Sequence, residues 1–138
     1  MAELTARLDH VGLAVADLGA AAAWYCDVFG LVPELSLRVD AIDLSIEMLI
    51  HPAFGYRVEL LHRPGTSAGV SGQPANPAEA ALRAGYGHVA FAVADLDAAY
   101  DHAVARGAAG HAAVPGAGTR GADGLRRRSR GQPRRASG

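Results

Sequence analysis

Two histidines and one glutamate are placed where they could do chemistry together. His10 opens the stretch HVGLAVADL, His88 opens HVAFAVADL, and Glu59 lies between them in YRVELLH. The two nonapeptides agree at seven of nine positions and begin 78 residues apart. In each, apolar residues alternate with the histidine and then with small residues only: Gly12 and Ala14 in the first, Ala90 and Ala92 in the second. Such alternation describes a strand with a bulky face and a nearly bare one, which leaves space beside the histidine. In YRVELLH, Arg57, Glu59 and Leu61 fall on one face, with Val58 and Leu60 on the other. A carboxylate among such neighbours needs a partner. Two imidazoles and a carboxylate suit a divalent ion such as Zn, Ni, Fe, Mn or Co, and leave coordination positions open for a substrate. Each residue alone has a plainer reading, as a satisfied interior histidine or a half-exposed glutamate. Their recurrence at equivalent points of a repeat favours the ion. The remaining histidines, His51, His62, His102 and His111, read as surface residues, His62 being the one beside the expected cleft. Cys26 lies in an apolar helical stretch and reads as a packing residue.

The elements that must position these residues repeat as well. Each strand runs into Ala-Asp-Leu, where Asp17 and Asp95 are suited to cap helices over about 18–29 and 96–106, ended by Gly30 and Gly107. Between the copies, LSLRVD, IDLSIEMLI and YRVELLHR read as three strands joined by short turns. Residues 1–64 therefore form a βαβββ module. Residues 65–84 read as a linker, rich in Gly, Ser and Pro from Pro64 to Pro77, with a short helix over 78–84. Residues 85–115 read as a partial second module, and 116–138 as a disordered Arg-rich tail. The fold class expected is α+β, with two βαβββ modules, the second incomplete in its last strands.

Bulk composition narrows the function classes. With 138 residues, half of them apolar, one domain or two half-size units are expected. No apolar run is long enough to span a bilayer, and residues 1–7 lack the order of a signal peptide. A single cysteine excludes an intramolecular disulfide and fits a reducing cytoplasm, where the chain is expected to reside. Residues 1–119 carry six arginines against thirteen acids, a charge of −7, while residues 120–138 carry seven arginines against Asp123 alone, a charge of +6. There is no lysine.

Over residues 7–110, LDHVGLAVADL, WYCDVFGL, VELLHRPG and GYGHVAFAVADLDAAY resemble the vicinal-oxygen-chelate superfamily. That superfamily includes glyoxalase I, methylmalonyl-CoA epimerase, extradiol dioxygenases and the fosfomycin and bleomycin resistance proteins; the last two stretches are similar, more narrowly, to its glyoxalase I-like members. The resemblance implies paired βαβββ modules, usually completed in a homodimer. It also implies that His10, Glu59 and His88 are metal ligands, and that Glu59 moves a proton while the metal polarises a small oxygen-chelating substrate. A glyoxalase I-like lyase or isomerase is the first expectation. The alternatives are an extradiol-type dioxygenase, an acyl-CoA epimerase, or a resistance protein that binds its ligand without catalysis.

The tail departs from the pattern. The family's fourth ligand is a glutamate on a late strand, after a turn resembling Asp-Pro-Glu-Gly-Asn; here no acid follows Asp123 and no aromatic follows Tyr100. Written in permitted codons and read from the second base, residues 122–138 give R-M-A-Y-V-A-D-P-E-G-N-L-V-E-L-L. Third bases are free choices, so the coincidence lies in the order of the residues: strand, turn and glutamate, the last spanning Arg135 and Ala136. A shifted frame explains the basic tail better than a nucleic-acid-binding arm, so nucleic acid is not expected as a partner. The chain is accordingly expected to be impaired as a catalyst.

Overall fold

Asp17 ends the first repeat stretch and starts a helix. Its backbone is extended (φ −130°, ψ 106°) and its side chain accepts the Ala20 N–H at 2.9 Å, meeting one of the donors that a helix leaves unpaired in its first turn. Asp95 repeats this 78 residues later, with φ −130°, ψ 105° and the Ala98 N–H at 3.0 Å. The two caps therefore agree in backbone geometry as well as in letters. Their helices end on glycines in different ways. Gly30 (φ 68°) returns its N–H to Cys26 O, the single-bond left-handed cap. At Gly107 (φ 92°), the N–H of Gly107 goes to Val104 O and that of Ala108 to Ala103 O, the paired Schellman closure.

The computed structural model describes residues 3–66, 77–82, 84–86 and 88–109, the side chains of 77 and 80 excepted. The elements are β1 (His10–Ala14), α1 (Leu18–Phe29), β2 (Val32–Val39), a 3-10 turn (Asp40–Ile42), β3 (Leu44–Ile50), β4 (Arg57–His62), α2 (Pro77–Ala80) and α3 (Leu96–Val104). The chain divides into two units, Met1–Gln73 and Pro74–Gly138.

The first unit is a βαβββ module with strand order β1-β4-β3-β2. The β1–β4 pair is parallel and the other two are antiparallel. A parallel neighbour cannot be reached by a hairpin, so α1, β2 and β3 together form the connection. Helix α1 covers one face of the sheet. Leu31, Leu49, Val58 and Leu60 are buried there, Leu49 and Leu60 completely, with Val11, Val15, Tyr25, Cys26 and Phe29 packed around them. Val11 and Val15 lie under the helix as their alternation predicts, whereas Leu13 is 39% exposed near the end of the short edge strand. The β2–β3 turn is tied by Arg38, which pairs with Asp40 and Asp43. Asp43 takes the left-handed conformation (φ 51°) that the tight reversal requires.

The second unit holds α2 and α3. The alternation of HVAFAV predicts a strand over 88–93, but among the described residues this segment joins no ladder. Alternation specifies the two faces of a strand, while strand formation needs a neighbour to take its backbone groups. In the first unit β4 supplies that neighbour; a counterpart in the second would fall beyond residue 109. The helix expected over 78–84 is shorter, Pro77–Ala80, and that over 96–106 closes at Val104 because the Schellman bonds take over from residue 105. The Arg-rich tail, His111 and residues 67–76 of the expected linker lie outside the described residues. Among the described residues no helix is long and apolar enough to cross a membrane.

Two substitutions rank the contributions in this module. Asp17→Ala removes one cap and is expected to cost about 1 kcal/mol. Leu60→Ala hollows the site of a fully buried side chain and is expected to cost about 2–5 kcal/mol. Urea denaturation of the two variants measures both; a Leu60→Ala loss no larger than that of Asp17→Ala contradicts this placement of the core.

Candidate functional site

The parallel register pairs His10 with Arg57 and Gly12 with Glu59. With side chains alternating along each strand, His10, Gly12, Arg57 and Glu59 all stand on the face of the sheet opposite α1. Because His10 precedes Gly12 on that face, its ring reaches diagonally to Glu59, and Nε2 stands 3.5 Å from Oε2. A Cβ at position 12 would meet Leu61 Cδ1 at 3.3 Å and Glu59 Oε1 at 3.5 Å. The contact with the Leu61 methyl is tight, and that with the carboxylate is an ordinary one.

The other ring nitrogen, Nδ1, lies 2.7 Å from Asp9 Oδ2. A carboxylate only accepts, so Nδ1 carries the proton, and in the neutral ring Nε2 presents its lone pair to Glu59. A proton on Nε2 turns this contact into an ion pair, and a divalent ion between the two atoms would satisfy the same pair of acceptors. Two ligands on one tetrahedral ion, each about 2.0–2.1 Å from it, stand about 3.3 Å apart, close to the observed spacing. A carboxylate behind the distal nitrogen is also the usual support of a metal-bound imidazole. Among the described residues no hydrogen bond closes on Glu59, although only 19% of its side chain is exposed. His10 and Glu59 thus fit two positions of a divalent ion.

The hydrogen bond to Asp9, aided by the Glu59 charge, raises the His10 pKa above its ordinary value against the opposing effect of burial. The same hydrogen bond lowers the Asp9 pKa, with Arg57 adding to it. The folded chain holds the His10 proton more tightly than the unfolded one, so this contribution to stability is full below pH 6.5, the ordinary histidine value, and is lost as pH rises through the raised value. An ion must displace that proton, so metal affinity rises over the same range.

The first unit brings together two of the three residues singled out from sequence. His88 belongs to the second unit, ahead of α3. Within the first unit, no group of three or more His, Cys, Asp and Glu among the described residues could hold an ion. His62 is placed on the α1 side of the sheet by alternation. There its Nδ1 donates to Val15 O at 2.9 Å, tying the end of β4 to the end of β1. His51 organises the β3–β4 turn, its Nδ1 accepting from the Ala53 and Phe54 N–H groups while Phe54 and Tyr56 stack on its ring. Burial raises the Cys26 thiol pKa, with Glu47 adding to it, as suits a packing residue. Asp9, by contrast, belongs to the site and went unrecognised in the sequence; its signal was its place next to His10 at the entry of a strand.

Residues 7–124 match the sequence model of the Glyoxalase/Bleomycin resistance protein/Dioxygenase superfamily. The chain belongs to this superfamily. It is also 34% identical over 103 residues to an ethylmalonyl-CoA/methylmalonyl-CoA epimerase of Cereibacter sphaeroides, covering 74% of this chain and 72% of the relative. Among solved structures, a glyoxylase/bleomycin resistance protein/dioxygenase domain from Frankia sp. EAN1pec shares the fold with a TM-score of 0.53 at 21% identity, over 75% of this chain and 67% of the other. For a member of the superfamily, the α+β class and the βαβββ order of the first unit follow as expected.

In the metal-free chain, His10 is expected to titrate above 6.5, and Asp9→Asn to bring it down. Proton NMR of the imidazole resonances measures both. A His10 value at or below the ordinary one contradicts the Asp9 contact.

Proposed function

We propose that this chain serves metal-assisted proton transfer at a carbon next to a carbonyl, on an acyl-CoA thioester of the kind named for its epimerase relative. The His10–Glu59 pair beside the exposed backbone of Gly12 is the observation that carries the reading. The 34% identity to the epimerase supports this substrate class over the hemithioacetal of the glyoxalase I reaction. His10 and Glu59 would hold the ion, with His88 as third ligand by its equivalent place in the repeat. A divalent ion bound there supplies Lewis-acid polarisation of the substrate oxygens.

The protein's own groups account for the rest. Asp9 keeps the His10 proton on Nδ1, leaving Nε2 free to coordinate. Glu59 turns Oε2 toward His10 and Oε1 toward the space over Gly12. From there Oε1 can take a proton from a carbon held above the sheet and return it. Retained on one face, that proton is merely exchanged; inversion needs a second group on the opposite face of the carbon. In the superfamily's pattern this is the late glutamate, which the shifted reading of residues 122–138 supplies and the chain's own reading does not. Leu35 and Leu37, exposed on the same sheet face as Glu59, offer apolar surface that a second module can cover, in keeping with the homodimer expected from the resemblance.

Exchange of the substrate α-proton in deuterated water tests this. With a divalent ion added, ethylmalonyl-CoA or methylmalonyl-CoA is expected to lose its α-proton signal, and Glu59→Gln to slow the loss by about a hundredfold or more. A chain carrying the shifted reading from residue 122 is expected to invert the α-carbon about a hundredfold faster than this one. Exchange that is indifferent to Glu59, or faster turnover of a hemithioacetal, overturns the assignment.

A further inference from the structure

The polar chain behind His10 continues past Asp9. Strand β2 slips register against β3 between Pro33 and Leu35, so Glu34 is the extra residue of a β-bulge. A bulge re-aims a side chain, and Glu34 reaches across β3 to Arg57 on β4. Two hydrogen bonds join them, Nε to Oε2 at 2.6 Å and Nη2 to Oε1 at 2.9 Å. Such a fork fixes the plane of the guanidinium, which a single contact leaves free to turn. The remaining nitrogen, Nη1, stands 3.9 Å from Asp9 Oδ1, while Asp9 Oδ2 takes the His10 proton. Asp9 Oδ2 thus takes a hydrogen bond, while Oδ1 faces the guanidinium charge at the longer distance of an ion pair.

The arrangement also settles a competition. Arg57 and Glu59 lie two residues apart on one strand face, and a guanidinium free to swing could pair with Glu59 and occupy the place of an ion. Glu34 draws Arg57 the other way.

We propose that Glu34 and Arg57 are positioning residues, acting through Asp9 to keep the His10 proton on Nδ1 and turn Nε2 toward Glu59. The role in ion binding rests on the metal reading given above, and the test separates the two. In metal-free chain labelled with nitrogen-15 in its imidazoles, at a pH where His10 is neutral, long-range proton–nitrogen spectra read the tautomer directly. The unsubstituted chain is expected to show His10 protonated on Nδ1. Glu34→Gln, which keeps the size of the side chain, and Arg57→Met are expected to give mixed tautomers, and Asp9→Asn to lose the preference. Zinc titration by calorimetry is expected to show affinity about 10–100-fold weaker for Asp9→Asn. Glu34→Gln and Arg57→Met should weaken it less. Arg57→Met placed on top of Asp9→Asn should weaken it no further, because the effect passes through Asp9; a merely structural contribution would add. Retained amide dispersion shows that each variant is folded, and Glu34→Gln alone decides if Arg57→Met is not. An unchanged tautomer in folded Glu34→Gln overturns the relay. Failure of the unsubstituted chain to bind zinc overturns the metal reading instead, while the tautomers still decide whether the relay exists.

Discussion

Parallel pairing of β1 with β4 places the chemistry of the first unit. Its register sets Gly12 opposite Glu59 and His10 opposite Arg57, so an imidazole, a carboxylate and a guanidinium share one sheet face within a few ångströms. The pairing is held from beneath, where Val58 and Leu60 of β4 and Val11 of β1 pack under α1. It is pinned at its end by the Val15 N–H to Leu61 O and by His62 to Val15 O. A one-residue slip would turn His10 toward the helix and Val11 toward the open face, so burial of the apolar set and assembly of the polar set enforce the same register.

The polar face has a direction. From Glu34 through Arg57 and Asp9 to His10, each charged group meets one of opposite sign or, at the neutral imidazole, a donor meets an acceptor, and beyond it Nε2 faces Glu59 Oε2. These groups are partly exposed, so each contact alone contributes little to stability. Their effect lies in orientation: the fork from Glu34 fixes the Arg57 guanidinium, and the hydrogen bond to Asp9 fixes the His10 ring. The last link, Nε2 to Oε2 at 3.5 Å, has no hydrogen bond and is the contact on which the proposed ion binding rests. Membership of the Glyoxalase/Bleomycin resistance protein/Dioxygenase superfamily agrees with a chelating function for this face.

How much of this was legible in the sequence depended on the range of the interaction. Capping by Asp17 and Asp95 acts over three residues and was readable at once, as were the glycine stops at Gly30 and Gly107. The pairing of His10 with Glu59 was readable because period-two alternation sorted both onto bare faces. The support behind it was hidden. Glu34 meets Arg57 only because of a bulge, and Arg57 meets Asp9 only through the register of a parallel pair; neither leaves a local pattern. Residues 88–93 show a different limit, for among the described residues they join no ladder. Their alternation is as regular as that of β1, yet a ladder needs a neighbouring strand, which no pattern within the segment can supply.

Whether His10 and Glu59 share one ion is measured most directly by loading the chain with cobalt(II) and recording the paramagnetically shifted proton spectrum. An imidazole bound through Nε2 shows its Nδ1 proton as a strongly shifted, exchangeable line. The account predicts such a line for His10, absent from His10→Ala and lost or displaced in Glu59→Gln. Cobalt binding that leaves the His10 resonances at their diamagnetic positions would contradict it.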